Sequence, residues 1–544
     1  MYMPLKLKRN CILLLTLIPA TLTAQTAAKD SLLNRTVVVE QEYNPEIMDA
    51  SKINRLPQVE TPSVPKQAIE YSLRTNPITS FQTYQPLETY ALQESETAPQ
   101  RGYVRIGYGN RNNLDGRISY AFRLSSKDEL SVSGNIRGMK GNLKFPSIGK
   151  AKHHDYRTRI GLDYRHFFST SEMNLSGHWH LLNLGLHPQF ALSHQRFTRG
   201  DIHWQLKSFE PSYSLQFAVE ANWNIHQRIH NWLGNLNEET KGTEHQLYTH
   251  AWLNGEINDS QHIGLDIKMH NFIYPNGFFT DYTSLSLNPF YEIENANWKL
   301  HAGIHIDPSF GFGRKFQVAP DVNLSFTFAE HYQLYARAEG GRKMNDFNHL
   351  AAFCPYANLQ PDYQLANTYE QLNASIGFKA SPCNNFHWHL FGGYQNLKDD
   401  IFTYWQSSTA ELCLRQANGS NFYGGATIQY TYKDFFNWYA QGSYHHWDMC
   451  DDALFFKPMA QIHTNVDIHP IKPLHLRIGY TYQKPQQESA NTTVHNLTAG
   501  ATYTLHKGLS VYATVNNIFN RTYFYHWNYP EQGIGIIGGI SFKF

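Results

Sequence analysis

The residues most able to do chemistry in this chain are its 28 histidines. His178/His180 and His387/His389 stand at i, i+2, so each pair faces one side of a strand. Two imidazoles on one face can share a metal ion. His153-His154 and His445-His446 are adjacent pairs. Histidine is equally at home on polar faces and at interfaces, and many here are isolated, so no metal site is assigned and no cofactor is expected. The cysteines beyond residue 24, Cys354, Cys383, Cys413 and Cys450, lack CxxC spacing, which argues against zinc. No nucleophile elbow occurs, and Gly311-Phe312-Gly313 lacks the strand-to-helix turn of a nucleotide fingerprint. The chain therefore reads as no enzyme, with its function in passage, binding or assembly.

The elements that carry these residues have period two. In 130–137, Leu130, Val132, Gly134 and Ile136 oppose Ser131, Ser133, Asn135 and Arg137. In 474–483, Leu474, Leu476 and Ile478 oppose His475, Arg477 and Gly479. Period two means strands, and charged residues on the polar face suit a watery lumen better than a sandwich core. Mean hydropathy is −0.49, and beyond residue 20 no run approaches the roughly 18 apolar residues of a membrane helix. Aromatics make up 14% of the chain, too much burial potential for disorder. The fold class expected is all-β, a large antiparallel transmembrane β-barrel in which alternating faces cancel in a hydropathy window.

Lys plus Arg (46) nearly balances Asp plus Glu (45), which gives no electrostatic reason to expect nucleic acid. Residues 1–24 read as a secretory signal peptide, with Lys6, Lys8 and Arg9 before an apolar run and Leu22-Thr23-Ala24 as the cleavage site. Residues 25–100 carry seven prolines and little periodicity, the pattern of a short irregular periplasmic or lumenal segment. Residues 101–544 form the barrel.

Short turns alternate with long loops. The short ones include Ser125-Ser126-Lys127-Asp128, Lys433-Asp434 and His506-Lys507-Gly508; the long ones are 341–367, 403–420, 448–460 and 484–493. Tight periplasmic turns opposite larger extracellular loops are an outer-membrane pattern. The length from 102 to 544 suits about 22 strands, with 20 as the neighbouring even count. Aromatics bunch at Phe402, Tyr404 and Trp405 and again from Tyr523 to Tyr529, as a membrane–water girdle would require. Ile540, Phe542 and Phe544 share one face of the last strand, and a closing strand with a terminal aromatic resembles the signal read by the barrel-assembly machinery.

Several stretches resemble the TonB-dependent receptors, 22-stranded outer-membrane transporters. Leu359-Gln360-Pro361-Asp362 followed by Thr368-Tyr369-Glu370 is similar to a loop entering a descending strand in that family. Asp400-Ile401-Phe402 resembles the end of the next ascending strand. Val515-Asn516-Asn517-Ile518-Phe519-Asn520 resembles the penultimate strand, and Tyr529-Pro530-Glu531-Gln532-Gly533 the loop before the last. Thr36, Val37, Val38 and Val39 resemble the energy-coupling box, an extended segment that adds as a strand to a TonB-like partner. Residues 25–100 are too few for that family's plug, which implies a variant with a missing or minimal plug.

The resemblance implies a cell outer-membrane receptor whose lumen and long loops bind a solute and move it inward. The alternatives are a plugless scaffold in an outer-membrane assembly and a passive porin. The partners implied are outer-membrane lipid, the barrel-assembly machinery and a TonB-like energy-coupling protein. The same topology places Cys383 on the periplasmic rim and Cys354, Cys413 and Cys450 on the extracellular one. The rims lie on the order of 25 Å apart, so Cys383 cannot reach the roughly 7 Å between Cα atoms that a disulfide needs.

Overall fold

The computed structural model describes residues 101–544 except 147, 209–213, 234–237 and 490. The signal peptide, the 25–100 segment and the coupling box Thr36, Val37, Val38 and Val39 lie outside the described residues. The described chain builds one closed antiparallel sheet of 22 strands. Each barrel strand pairs with its sequence neighbours, and the first, Gly102–Gly109, closes on the last, Gly535–Lys543. A closed sheet leaves no backbone edge unpaired, which lipid demands.

The closing register runs from Tyr103↔Lys543 to Gly109↔Ile537 and brings Gly107 opposite Gly539. From inside, Arg105 pairs with Asp115 at 2.8 Å and lies 3.8 Å from the centre of the Tyr512 ring. A side chain at Gly539 would run into the Ile106 carbonyl oxygen at 2.2 Å, so this seam needs glycine for close approach.

Alternation sets the two faces. Val132, Ile136 and Ile478 are exposed on the outer wall, whereas His475 and Arg477 turn inward onto Asp467, His475 at 3.0 Å. Ile540, Phe542 and Phe544 are all exposed on the outer wall, with the Phe542 and Phe544 rings stacked at 5.4 Å.

Two rims differ in kind. At one, strands are joined by tight turns such as that between Thr504 and Ser510, and Gly102 exchanges backbone hydrogen bonds with Phe544. A girdle of touching rings follows this rim: Trp298–Phe326 at 4.3 Å, Phe328–Tyr332 at 5.6 Å, Tyr332–Phe378 at 6.0 Å and Phe378–Trp388 at 5.2 Å. The other rim carries the long loops. Cys383 stands at a tight turn, while Cys354 ends the loop helix and Cys413 and Cys450 stand toward the long-loop rim; all four are free thiols.

Three expectations are corrected here. Residues 403–420 do not form a long loop: Phe386–Gln406 and Glu411–Tyr432, of 21 and 22 residues, continue as a paired ribbon joined by 407–410. Asp400-Ile401-Phe402 therefore does not end its strand. A bulge between Leu397 and Asp400, with Asp399 at φ 52, re-aims the strand, which then runs on as a tall wall. The aromatics from Tyr523 to Tyr529 do not face a membrane interface: Tyr523, Phe524, Tyr525 and Tyr529 are buried, because their loop folds inward over the mouth.

Candidate functional site: a closed mouth

The long-loop rim is closed by its own loops. The largest hydrophobic core in the described chain is here rather than in the barrel wall. It joins Phe278 and Phe279, from the connection before Tyr282–Glu294, to Phe347, Leu350 and Phe353 and to Tyr529. The centre of this cap is the helix Phe347–Phe353, whose buried residues recur at i, i+3 and i+6, one face of a helix. Asp346 caps it by accepting from the His349 N–H at 2.7 Å.

Three adjacent wall strands and a fourth from farther round the barrel hold the cap. From Glu238–Asn258, the Glu244 carboxylate accepts the Phe347 N–H at 3.1 Å on both oxygens. From His194–Ser208, Arg199 donates to Asn348 at 2.7 Å. From Leu215–Leu233, Arg228 donates to the Ala357 carbonyl, and the Trp232 backbone exchanges hydrogen bonds with the Asn358 amide at 2.9 and 2.8 Å. From Glu411–Tyr432, the Leu412 carbonyl accepts the Asn358 N–H at 2.8 Å, and Gln416 clasps the Ala366 backbone at 2.7 and 2.9 Å. Backbone and side-chain amides paired in this way favour one closed arrangement.

The segment 517–534 makes a second layer. It folds into a small hairpin, Phe524–His526 against Tyr529–Pro530. The Tyr529 ring stacks on Tyr356 with centroids 3.9 Å apart, and its hydroxyl accepts the His187 N–H at 3.0 Å. Trp527 meets Phe455 at 4.6 Å and Phe456 at 5.1 Å. Beside them Lys457 makes a buried ion pair with Asp400 and lies 4.7 Å from the Trp447 ring.

Under this layer is a cavity of about 100 Å³, lined in part by Arg137, His153, Asp155, Arg157, Tyr356 and Glu531. Arg157 grips Asp155 with two hydrogen bonds, at 3.1 and 2.9 Å. Burial pushes the Glu531 carboxyl up to about 7; Asp155 adds to the shift and Arg157 opposes it. Burial likewise holds the Cys354 thiol up at about 12.

The histidine pairs do not converge on a metal. His178 and His180 share a face, as their spacing requires, but both turn to Asp201, at 2.8 and 3.8 Å. His389 meets the Tyr335 hydroxyl at 2.9 Å and His387 the Ser381 hydroxyl at 2.8 Å. His445 turns to Asn421 while its neighbour His446 is exposed, the consequence of adjacent residues on a strand. Among the described residues no group of three or more His, Cys, Asp or Glu could hold a metal ion. The histidines instead form a lumenal belt with carboxylates: His250 between Glu220 and Asp266, both at 2.8 Å, and His301 between Glu292 at 2.8 Å and Asp321 at 3.1 Å. The sequence marked the loop 341–367 by length, but the wall residues that hold it, Glu244, Arg199 and Arg228, carried no signal distinguishing them from other lumenal side chains.

The closed 22-stranded barrel is a fold that this chain shares with solved bacterial receptors and transporters. The chain is similar to the ferric enterobactin receptor PfeA of Pseudomonas aeruginosa, at TM-score 0.62 and 14% identity over 83% of this chain and 82% of that one. It is similar to the FrpB iron transporter of Neisseria meningitidis, at TM-score 0.61 and 12% identity over 82% of each chain. It is also similar to FpvAI in its complex with pyocin S2, at TM-score 0.60 and 10% identity over 83% and 74%. No family model and no curated protein matches the sequence.

Proposed function

We propose that this chain is an outer-membrane receptor of TonB-dependent type that admits a solute through a gated extracellular mouth. The observation that carries the reading is the closed mouth: an aromatic core and a set of matched hydrogen bonds from several strands close a barrel of receptor size. A passive porin keeps an aqueous channel through a barrel of 16–18 strands, and a cap of this kind opposes that reading. The outer wall of exposed apolar residues and the girdle at the tight-turn rim support placement in the outer membrane, with the tight turns periplasmic.

In this reading Thr36, Val37, Val38 and Val39 recruit a TonB-like partner, residues 25–100 replace a full plug, and Ile540, Phe542 and Phe544 present the assembly signal. The names of PfeA and FrpB make an iron complex the first solute to try. Uptake of two iron complexes, ferric enterobactin and the carboxylate complex ferric citrate, is measured in cells carrying the full chain and the chain without residues 34–42. Energised uptake that is lost on the deletion supports coupling; uptake that survives it contradicts coupling.

A further inference from the structure

Arg228 is the largest side chain fully enclosed in the structure, with none of its surface exposed. It stands on the wall strand Leu215–Leu233 beneath the cap. Its acceptors are all neutral: the Ala357 carbonyl from the cap and the Asn231 side-chain oxygen at 3.3 Å. Its guanidinium carbon lies 4.6 Å from the centre of the Phe197 ring, and Nη1 has no partner. Two residues along the same face, His226 is buried with neither ring nitrogen bonded, edge-on to Phe347 at 5.9 Å. Among the described residues no carboxylate lies within ion-pair distance of Arg228, whereas Arg157, Arg199 and Lys457 around the same mouth each have one.

A buried guanidinium without a counter-charge is poorly compensated, and a two-pronged acceptor is what its fork is shaped for. Resting on the receptor reading above, we propose that Arg228, flanked by Asn231 and His226, is a binding site for a carboxylate on the incoming solute, and that the Ala357 carbonyl occupies it in the closed state. A single carbonyl satisfies Nη2 alone. A carboxylate spans Nη1 and Nη2 together and adds the missing charge, so it binds the open mouth better than the closed one. That difference in affinity is the quantity able to shift the cap from closed to open. The contact is autoinhibitory, with the 344–367 loop standing in for the ligand.

Cys354 reports the opening, because its thiol is wholly buried in the cap while Cys450 is exposed. The full chain in detergent is treated with N-ethylmaleimide, and labelling at each cysteine is followed by peptide mass spectrometry. Sodium benzoate is expected to accelerate labelling at Cys354 by about tenfold and to leave Cys450 unchanged, while neutral benzamide leaves both unchanged. Arg228→Met should abolish the benzoate effect, read as the ratio of Cys354 rates with and without benzoate because Arg228 itself bears on that thiol. Arg228→Lys, which keeps the charge without the fork, should fold and respond only at higher benzoate concentration. A wild-type Cys354 rate indifferent to benzoate, or one accelerated equally in Arg228→Met or in Arg228→Lys, overturns the proposal. Inorganic phosphate acting more strongly than benzoate overturns the carboxylate assignment. Benzoate-dependent labelling without uptake would refute the transport reading and leave this site standing; energised uptake with a Cys354 rate blind to benzoate would do the reverse.

Discussion

Tyr529 lies flat on Tyr356 with ring centroids 3.9 Å apart and accepts the His187 N–H at 3.0 Å. One side chain thus ties the segment before the closing strand to the helix-bearing loop and to the connection after Ser171–Gly185. Replacing Tyr529 by Ala should cost the closed mouth about 3 kcal/mol, on the order of a hundredfold in its ratio to the open form. Tyr529→Phe, which keeps the stack and leaves the His187 N–H unpaired, should cost about 1 kcal/mol. Both are read as Cys354 labelling rates, and equal effects would mean that the stack contributes nothing.

The mouth should loosen as pH rises. Glu531 holds its proton up to about 7 in the closed form and would titrate near the ordinary value of about 4.3 once hydrated. Protonation therefore favours the closed form, and that advantage is full below the ordinary value and gone once pH has risen through about 7. Above it, the closed form holds a carboxylate beside Asp155. Labelling at Cys354, divided by labelling at Cys450 to remove intrinsic thiolate chemistry, should rise about tenfold from pH 5 to pH 8, a value discounted for solvent screening. Glu531→Gln should flatten that profile at the low-pH rate. A wild-type ratio that falls with pH would reverse the sign.

Facing is tested in the wall. Ile478 is exposed on the outer surface, while its neighbour Arg477 is paired with Asp467 inside. Ile478→Arg should destabilise the barrel by about 2–4 kcal/mol if it lies near the bilayer midplane. The readout is the temperature at which the folded band is lost on electrophoresis. An unchanged temperature would place Ile478 away from lipid.

Orientation is tested by the thiols. Cys450 and Cys383 are both exposed, on opposite rims. A membrane-impermeant thiol reagent applied to intact cells should reach Cys450 and spare Cys383. The reverse pattern would turn the barrel upside down.

The sequence made the wall legible because its signal is local. Leu474 to Gln483 alternates residue by residue, and Lys433-Asp434 marks a turn without reference to anything distant. Strand ends were less legible: Asp400-Ile401-Phe402 resembled a stop, yet the strand is re-aimed by a bulge and continues to Gln406. The closed mouth was not legible, because its contacts join residues far apart in the chain, as His187 does with Tyr529 or Arg228 with Ala357. The aromatics of 523–529 have the composition of a girdle, and only the inward fold of their loop makes them a core. Histidine spacing set which rings share a face, but the strands alongside decided that carboxylates, rather than a metal, answer them.

The central claim is that the loops themselves close the mouth. Its most direct measurement is single-channel conductance across a planar bilayer of the barrel without residues 25–100, so that only the cap can obstruct the lumen. The account predicts a silent membrane, and steady ohmic current once 345–366 is replaced by a short Gly/Ser linker. Steady porin-like current with the cap intact would contradict it.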